Sequence, residues 1–213
     1  MPARNRSMLV AALTGNIASG KSTVAAELVA HGAWLVDADR LARDVVAPGT
    51  PGLAAIVARW GESILTPDGT LDRASLRRVV FASETERLAL NAIVHPRVES
   101  LRRERVAEAR SAGATIVVCD IPLLFETGRN LDGAFDAIIL VTAPRDVRLA
   151  RLMEHRGLSR DDAERMMAAQ WPEEAKRARA DCVIENGGSL EAMRTQVESC
   201  WQTLLARAAA TPA

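Results

Sequence analysis

The segment Gly15-Asn16-Ile17-Ala18-Ser19-Gly20-Lys21-Ser22 restricts the possible folds of this chain more than any other. It is a complete G-x-x-x-x-G-K-S that follows an apolar run of strand length, Met8 to Leu13, and opens a helix near Ser22. A loop between strand and helix turns successive backbone N–H groups toward an anion, and the helix start adds partial positive charge, so the expected ligand is phosphate. On this reading Gly15, Asn16, Ala18, Ser19, Gly20 and Thr23 shape the cradle. Lys21 reaches the β- and γ-phosphates, and Ser22 offers a hydroxyl to Mg²⁺.

The rest of the chain fits a sheet of parallel strands. Met8 to Leu13, Trp34 to Val36, Thr115 to Cys119, Ala137 to Val141 and Cys182 to Ile184 are short apolar runs without polar alternation, as strands covered on both faces should be. The expected fold class is α/β, a doubly wound parallel sheet of five strands. Residues 37–114 are too many for one crossover helix, which predicts a helical insertion over 48–111. Within it Pro48, Gly49, Pro51 and Gly52 read as a break, Ser83 to Glu86 as a capping box, and Pro96 as the start of the helix returning to the third strand. A second excursion, 144–179, follows the fourth strand, with Pro144 at a helix start, Gly157 at a helix end and a cap at Ser159 to Asp162. Residues 1–47, 112–143 and 180–213 then form the core, with residues 1–7 as a frayed tail.

Composition excludes several classes. The 27 basic residues balance 27 acidic ones, and 48% of the chain is hydrophobic, which argues against disorder and against a nucleic-acid gripping face. The 3 cysteines are scattered, which fits neither a disulfide framework nor a zinc site and points to the reducing cytoplasm. No run approaches the length of a membrane span. Only Lys21 and Lys176 are lysines, every other basic residue being arginine, which marks these two as positions where a guanidinium does not serve.

Neither lysine lies in an N-K-x-D segment, so guanine recognition is unexpected. Asp120 at the end of the third strand is followed by Ile121 and Pro122 rather than by a water-activating glutamate, which favours transfer to an organic acceptor. Asp120 either holds Mg²⁺ through water or caps a loop. Asp37 and Asp39 end the second strand, where ligands of open sheets gather. One of them takes or orients the acceptor's proton while the other reaches the loop or Mg²⁺, unless Asp39 merely caps the helix Arg40 to Val46. The six arginines from Arg145 to Arg165 form either a solvated face or a phosphate-closing lid. As a lid, Arg148 and Arg151 lie one turn apart and share a face, Arg151 being the first choice for the phosphoryl group.

These residues resemble the dephospho-coenzyme A kinase family. The resemblance is carried by A-L-T-G-x-I-x-S-G-K-S-T from Ala12 to Thr23, D-A-D from Asp37 to Asp39 with Arg43 after it, and L-N-A-I-V-H-P from Leu90 to Pro96. It continues through D-x-P-L-L-F-E from Asp120 to Glu126, Gln170, and A-D-x-V-I-x-N-G-G from Ala180 to Gly188. It implies transfer of the γ-phosphoryl of ATP to the ribose 3′-hydroxyl of dephospho-coenzyme A, with Mg²⁺, by a monomer or small homo-oligomer. Asp39 is then the base, and Arg43, His95 at a turn with Pro96, Asp37 and Pro122 serve the acceptor. The lid arginines meet the phosphates, and the segment holding Asn186 approaches adenine. Asn16 and Ala18 depart from the family's glycine-rich loop; asparagine tolerates left-handed backbone best among non-glycine residues, so binding should survive with a stiffer loop. The rival readings are a kinase for another small alcohol or nucleoside, and an ATP-binding module without transfer.

Overall fold

The computed structural model describes residues 8–81, 83–126 and 133–210; the tail expected of residues 1–7 lies outside them. In chain order the elements are β1 (Leu9–Gly15), α1 (Lys21–Ala30), β2 (Trp34–Asp37), α2 (Ala38–Asp44), α3 (Pro51–Trp60), α4 (Arg73–Phe81) and α5 (Glu84–Ser111). There follow β3 (Ile116–Asp120), β4 (Ala137–Thr142), α6 (Arg145–Arg156), α7 (Arg160–Ala168), α8 (Glu173–Arg177), β5 (Cys182–Glu185) and α9 (Leu190–Ala210). The strands stand in the order β2-β3-β1-β4-β5, with β1 parallel to both β3 and β4, and β4 parallel to β5. The fold is the expected α/β sheet.

Alternation along β1 divides its side chains between two cores. Leu9, Ala11 and Leu13 join Ile116, Val118, Ile139 and Val141 beneath Val24 and Leu28 of α1 and Met193, Val197, Trp201, Leu204 and Ala208 of α9. The α9 residues recur at three- and four-residue steps, so one helical stripe covers that face. Ala12 points the other way, to Leu124 and Phe125. Each strand runs one or two residues past its apolar run, to Gly15, Asp37, Asp120, Thr142 and Glu185.

Asp37–Ala107 forms a compact unit of its own, and the described residues on either side of it form the other. The second unit therefore begins earlier than residue 48 and ends before 111, because Val45 and Val46 just after α2 pack into its core with Ile56, Ile64 and Leu76. The break expected at Pro51 and Gly52 is instead the first turn of α3: the Thr50 hydroxyl caps Leu53 N, and Pro51 needs no N–H there. A Cβ on Gly52 would lie 2.0 Å from Val45 O, so this close approach requires glycine.

Pro96 does not start a helix but lies inside α5. It deprives Ala92 O of its helical partner, a cost of about 3 kcal/mol that the burial of Leu90, Ile93, Val94, Val98 and Leu101 against the unit's core offsets. Half of the capping box at the start of α5 forms, with Glu86 N donating to Ser83 Oγ at 3.4 Å. The Glu86 carboxylate instead accepts from Arg59 and from Trp60 Nε1, each at 2.7 Å. The excursion after β4 is α6, α7 and α8; Pro144 is the residue before α6, Gly157 ends α6 at φ 63°, and Ser159 caps α7.

Candidate active site

The loop between β1 and α1 has two glycines fixed by contact. A Cβ on Gly15 would lie 2.6 Å from Val141 O, and one on Gly20 would lie 2.1 Å from Asn186 Nδ2. Gly20 also has φ 80° and stands just before α1. The left-handed non-glycine residue of the loop is Ala18, at φ 58°, rather than Asn16. That conformation costs alanine about 1–2 kcal/mol. Its methyl packs with Ile17 against Leu149, Leu152 and Ala163 of α6 and α7, which offsets part of the cost. Asn16 has a different task, donating from Nδ2 to Glu173 Oε2 at 2.9 Å, and Ile17 N donates to Gln170 Oε1 at 2.7 Å.

Register sets the catalytic end of the sheet: Leu13 of β1 is level with Asp120 of β3, and Gly15 with Val141 of β4. Lys21, the first residue of α1, forms an ion pair with Asp120, each side chain less than a fifth exposed. The ammonium at the start of α1 is thus oriented by a carboxylate. Ser22 and Thr23 are exposed on the first turn of α1. Among the described residues no three His, Cys, Asp or Glu side chains cluster as a metal cage. A hydroxyl and a single carboxylate are the donor set that suits Mg²⁺, which keeps water and takes its remaining ligands from phosphate. Pro122, two residues beyond Asp120, accepts a hydrogen bond from Thr14 Oγ1 at 3.3 Å.

Arg148 and Arg151, expected on one face of the helix, make two separate sets of contacts. Arg151 donates from Nη1 to Ala18 O at 3.2 Å and from Nη2 to Asn186 O at 2.9 Å, bridging the loop to the end of β5. Arg148 turns to Ala143 O at 2.9 Å and faces Glu173 at 3.6 Å. Burial pushes the Arg148 guanidinium below its ordinary value, against the charge of Glu173. Burial by itself would raise the Glu173 carboxyl, but Thr142, Arg177 and Arg148 outweigh it and hold the group below the usual glutamate value. Arg145 is largely solvated and pairs with Glu164. Asn186 is nearly buried, with its amide nitrogen donating to Ser19 O at 2.8 Å, so it braces the loop. A cleft of about 280 Å³ lined by Asn16, Arg148, Gln170 and Glu173 borders the loop. Gln170 and Glu173 thus join the site; the sequence signalled only Gln170, through the family resemblance and without a role.

In the second unit the two acids of D-A-D separate. Asp37, not Asp39, is the helix cap: its Oδ1 accepts from Asp39 N at 2.8 Å and Arg40 N at 3.1 Å. Asp39 is exposed in the first turn of α2, where its backbone N–H is capped but its side chain accepts nothing in the cap, and Arg43 is exposed in its last turn. His95 is half-buried within α5 rather than at a turn, because the helix continues through Pro96.

Comparison with known proteins points to one family. A family model described as dephospho-CoA kinase matches residues 9–192. A dephospho-CoA kinase from Frankia casuarinae is 50% identical over 200 residues, covering 94% of this chain and 85% of the relative. A solved structure from Thermus thermophilus, 37% identical, covers 93% of this chain and 99% of its own with a TM-score of 0.78. The dephospho-CoA kinase from Campylobacter jejuni, 24% identical, shares the fold with a TM-score of 0.71 over 92% of this chain and 97% of its own.

Proposed function

The chain belongs to the dephospho-CoA kinase family, and from that premise we propose that it transfers the γ-phosphoryl of ATP to the ribose 3′-hydroxyl of dephospho-coenzyme A, giving coenzyme A and ADP. The observation that carries this reading is Lys21 at the mouth of a phosphate loop, paired with the acid that ends the neighbouring strand. In the transfer, the acceptor oxygen bonds to the γ-phosphorus as the bond to the β–γ bridging oxygen breaks. The leaving ADP keeps that electron pair, and the acceptor's proton passes to Asp39. Asp37 fixes the backbone that carries Asp39, while Arg43, His95 and Pro122 belong to the acceptor's side.

Loop N–H groups and Lys21 neutralise charge on the β- and γ-phosphates, more strongly in the transition state than in the ground state. Ser22 and Asp120 would hold Mg²⁺, which when bound supplies further charge neutralisation between the same phosphates. Arg151 adds a planar donor pair beside Ala18. Residues 144–179 serve as the lid over the nucleotide and the insertion after β2 as the coenzyme-binding part. No described helix is long and apolar enough to cross a membrane, and the reaction is assigned to the cytoplasm.

The test is a coupled assay of ADP release with dephospho-coenzyme A, nucleosides or sugar acids as acceptor, beside Lys21→Ala and Lys21→Arg. Turnover with dephospho-coenzyme A alone is expected, lowered by about 10²-fold or more in both variants, because a planar fork cannot replace a compact ammonium in this loop. Equal turnover with a different acceptor, or normal turnover in Lys21→Arg, would overturn the assignment.

A further inference from the structure

Lys176 is the largest fully buried side chain among the described residues, with no exposure, in a chain whose other basic residues, Lys21 apart, are arginines. Its ammonium forms an ion pair with Glu126 Oε1, the last described residue of the segment that follows β3. The same oxygen accepts from Trp171 N at 3.2 Å, and Phe125 stacks on Trp171 with ring centres 6.2 Å apart. The pair is not saturated. Among the described residues, Glu126 Oε2 is buried without a hydrogen-bond partner, and Lys176 Nζ forms no hydrogen bond beyond the ion pair. Desolvating two charges with so few supporting bonds contributes little net stability, so the pair calls for an explanation other than strength.

Its neighbours supply one. On one side, the segment holding Glu126 begins at Asp120, which pairs with Lys21, and includes Pro122, which accepts from Thr14. On the other, the segment holding Lys176 includes Gln170 and Glu173, which accept from Ile17 and Asn16. Thr14, Asn16 and Ile17 flank the start of the phosphate loop. We propose that Lys176 is a positioning residue: with Glu126 it joins the two segments that grip the loop and closes a ring of contacts that fixes the loop's shape. A lysine suits this place because it brings one compact charge to one carboxylate, whereas a guanidinium would bury five donors with too few acceptors. This inference rests on the kinase reading only in treating the loop as the nucleotide's seat.

The experiment compares Lys176→Met, the double variant Lys176→Met/Glu126→Gln, and Thr14→Val, which cuts the ring at its other side. Lys176→Met leaves a buried carboxylate unpaired and should lower Tm by several degrees, roughly in line with loss of a buried ion's partner. The double variant keeps an acceptor for Trp171 N and should recover most of that Tm. Its affinity for a non-hydrolysable ATP analogue, measured by calorimetry, should nonetheless stay about tenfold below wild type, with KM for ATP raised to match and KM for the acceptor unchanged. Thr14→Val should weaken the analogue similarly without loss of Tm, and the triple variant should be no weaker than either, since one ring can be opened only once. Recovery of affinity together with Tm in the double variant would overturn the proposal, as would effects that multiply in the triple variant. If the double variant fails to fold, normal affinity in Thr14→Val overturns it alone. Wild-type binding without turnover of dephospho-coenzyme A would count against the proposed function, while the calorimetric comparison still decides the ring.

Discussion

Asp37 and Asp39 differ in what their carboxylates already hold, and their variants should differ accordingly. The Asp37 side chain is occupied by two backbone N–H groups, so Asp37→Asn keeps the cap and Asp37→Ala costs about 1 kcal/mol of stability, seen as a lower Tm. Asp39→Asn should leave Tm and ATP affinity near wild type yet lower kcat by about 10²-fold, the scale of a positioned base. The reverse ranking in kcat would exchange the two roles. Arg151 combines both kinds of effect, because its guanidinium bridges Ala18 O and Asn186 O. Arg151→Ala should therefore lower Tm slightly and kcat by more than ATP affinity; unchanged kinetics would reduce Arg151 to a structural bridge.

Elements were legible to different depths. Apolar runs revealed all five strands but stopped short of their ends, because hydropathy reports apolar side chains whereas the backbone ladder continues onto Gly15, Asp120 and Thr142. The sequence presents Pro96 as a helix start and Pro51 as part of a break, since local preference cannot anticipate the core burial that carries α5 through the one, or the helix start that needs no N–H at the other. The phosphate loop was legible in its order of strand, loop and helix, but not in which of its residues is left-handed, Ala18 rather than Asn16. Its braces from α8 and the turn before it were not, because Gln170 and Glu173 meet Ile17 and Asn16 only across more than 150 residues of chain. Glu173 offers a test at this scale. Its carboxyl is held below the usual value in the folded chain, so its contribution to stability is present above about pH 4.5 and is lost as pH falls through the folded value. Glu173→Gln should have a lower Tm than wild type at pH 7, and the gap should narrow on acidification. A gap that widened instead would mean that Glu173 is not the anchor of this cluster.

At the scale of the whole molecule the strand order has a consequence in time. β1, the strand that ends in the phosphate loop, pairs with β3 and β4 and with no strand nearer in sequence. During synthesis from the amino end, Leu9 to Gly15 must wait until Asp120 for a first partner and until Thr142 for a second. At about 5–20 residues per second that is several seconds in which an apolar strand has no ladder partner and only α1 to cover it. Asp37–Ala107, by contrast, has its own core of Val45, Ile56, Ile64 and Leu76 and can collect itself during that interval. Ribosome-stalled chains that expose residues 1–110 should show protease resistance within 37–107 while the loop segment stays cleavable, and protection of the loop should arise only once β4 has emerged. Early protection of the loop would mean that β1 finds a non-native partner first. The nucleotide seat, first among the working parts to be translated, is thus among the last to be built.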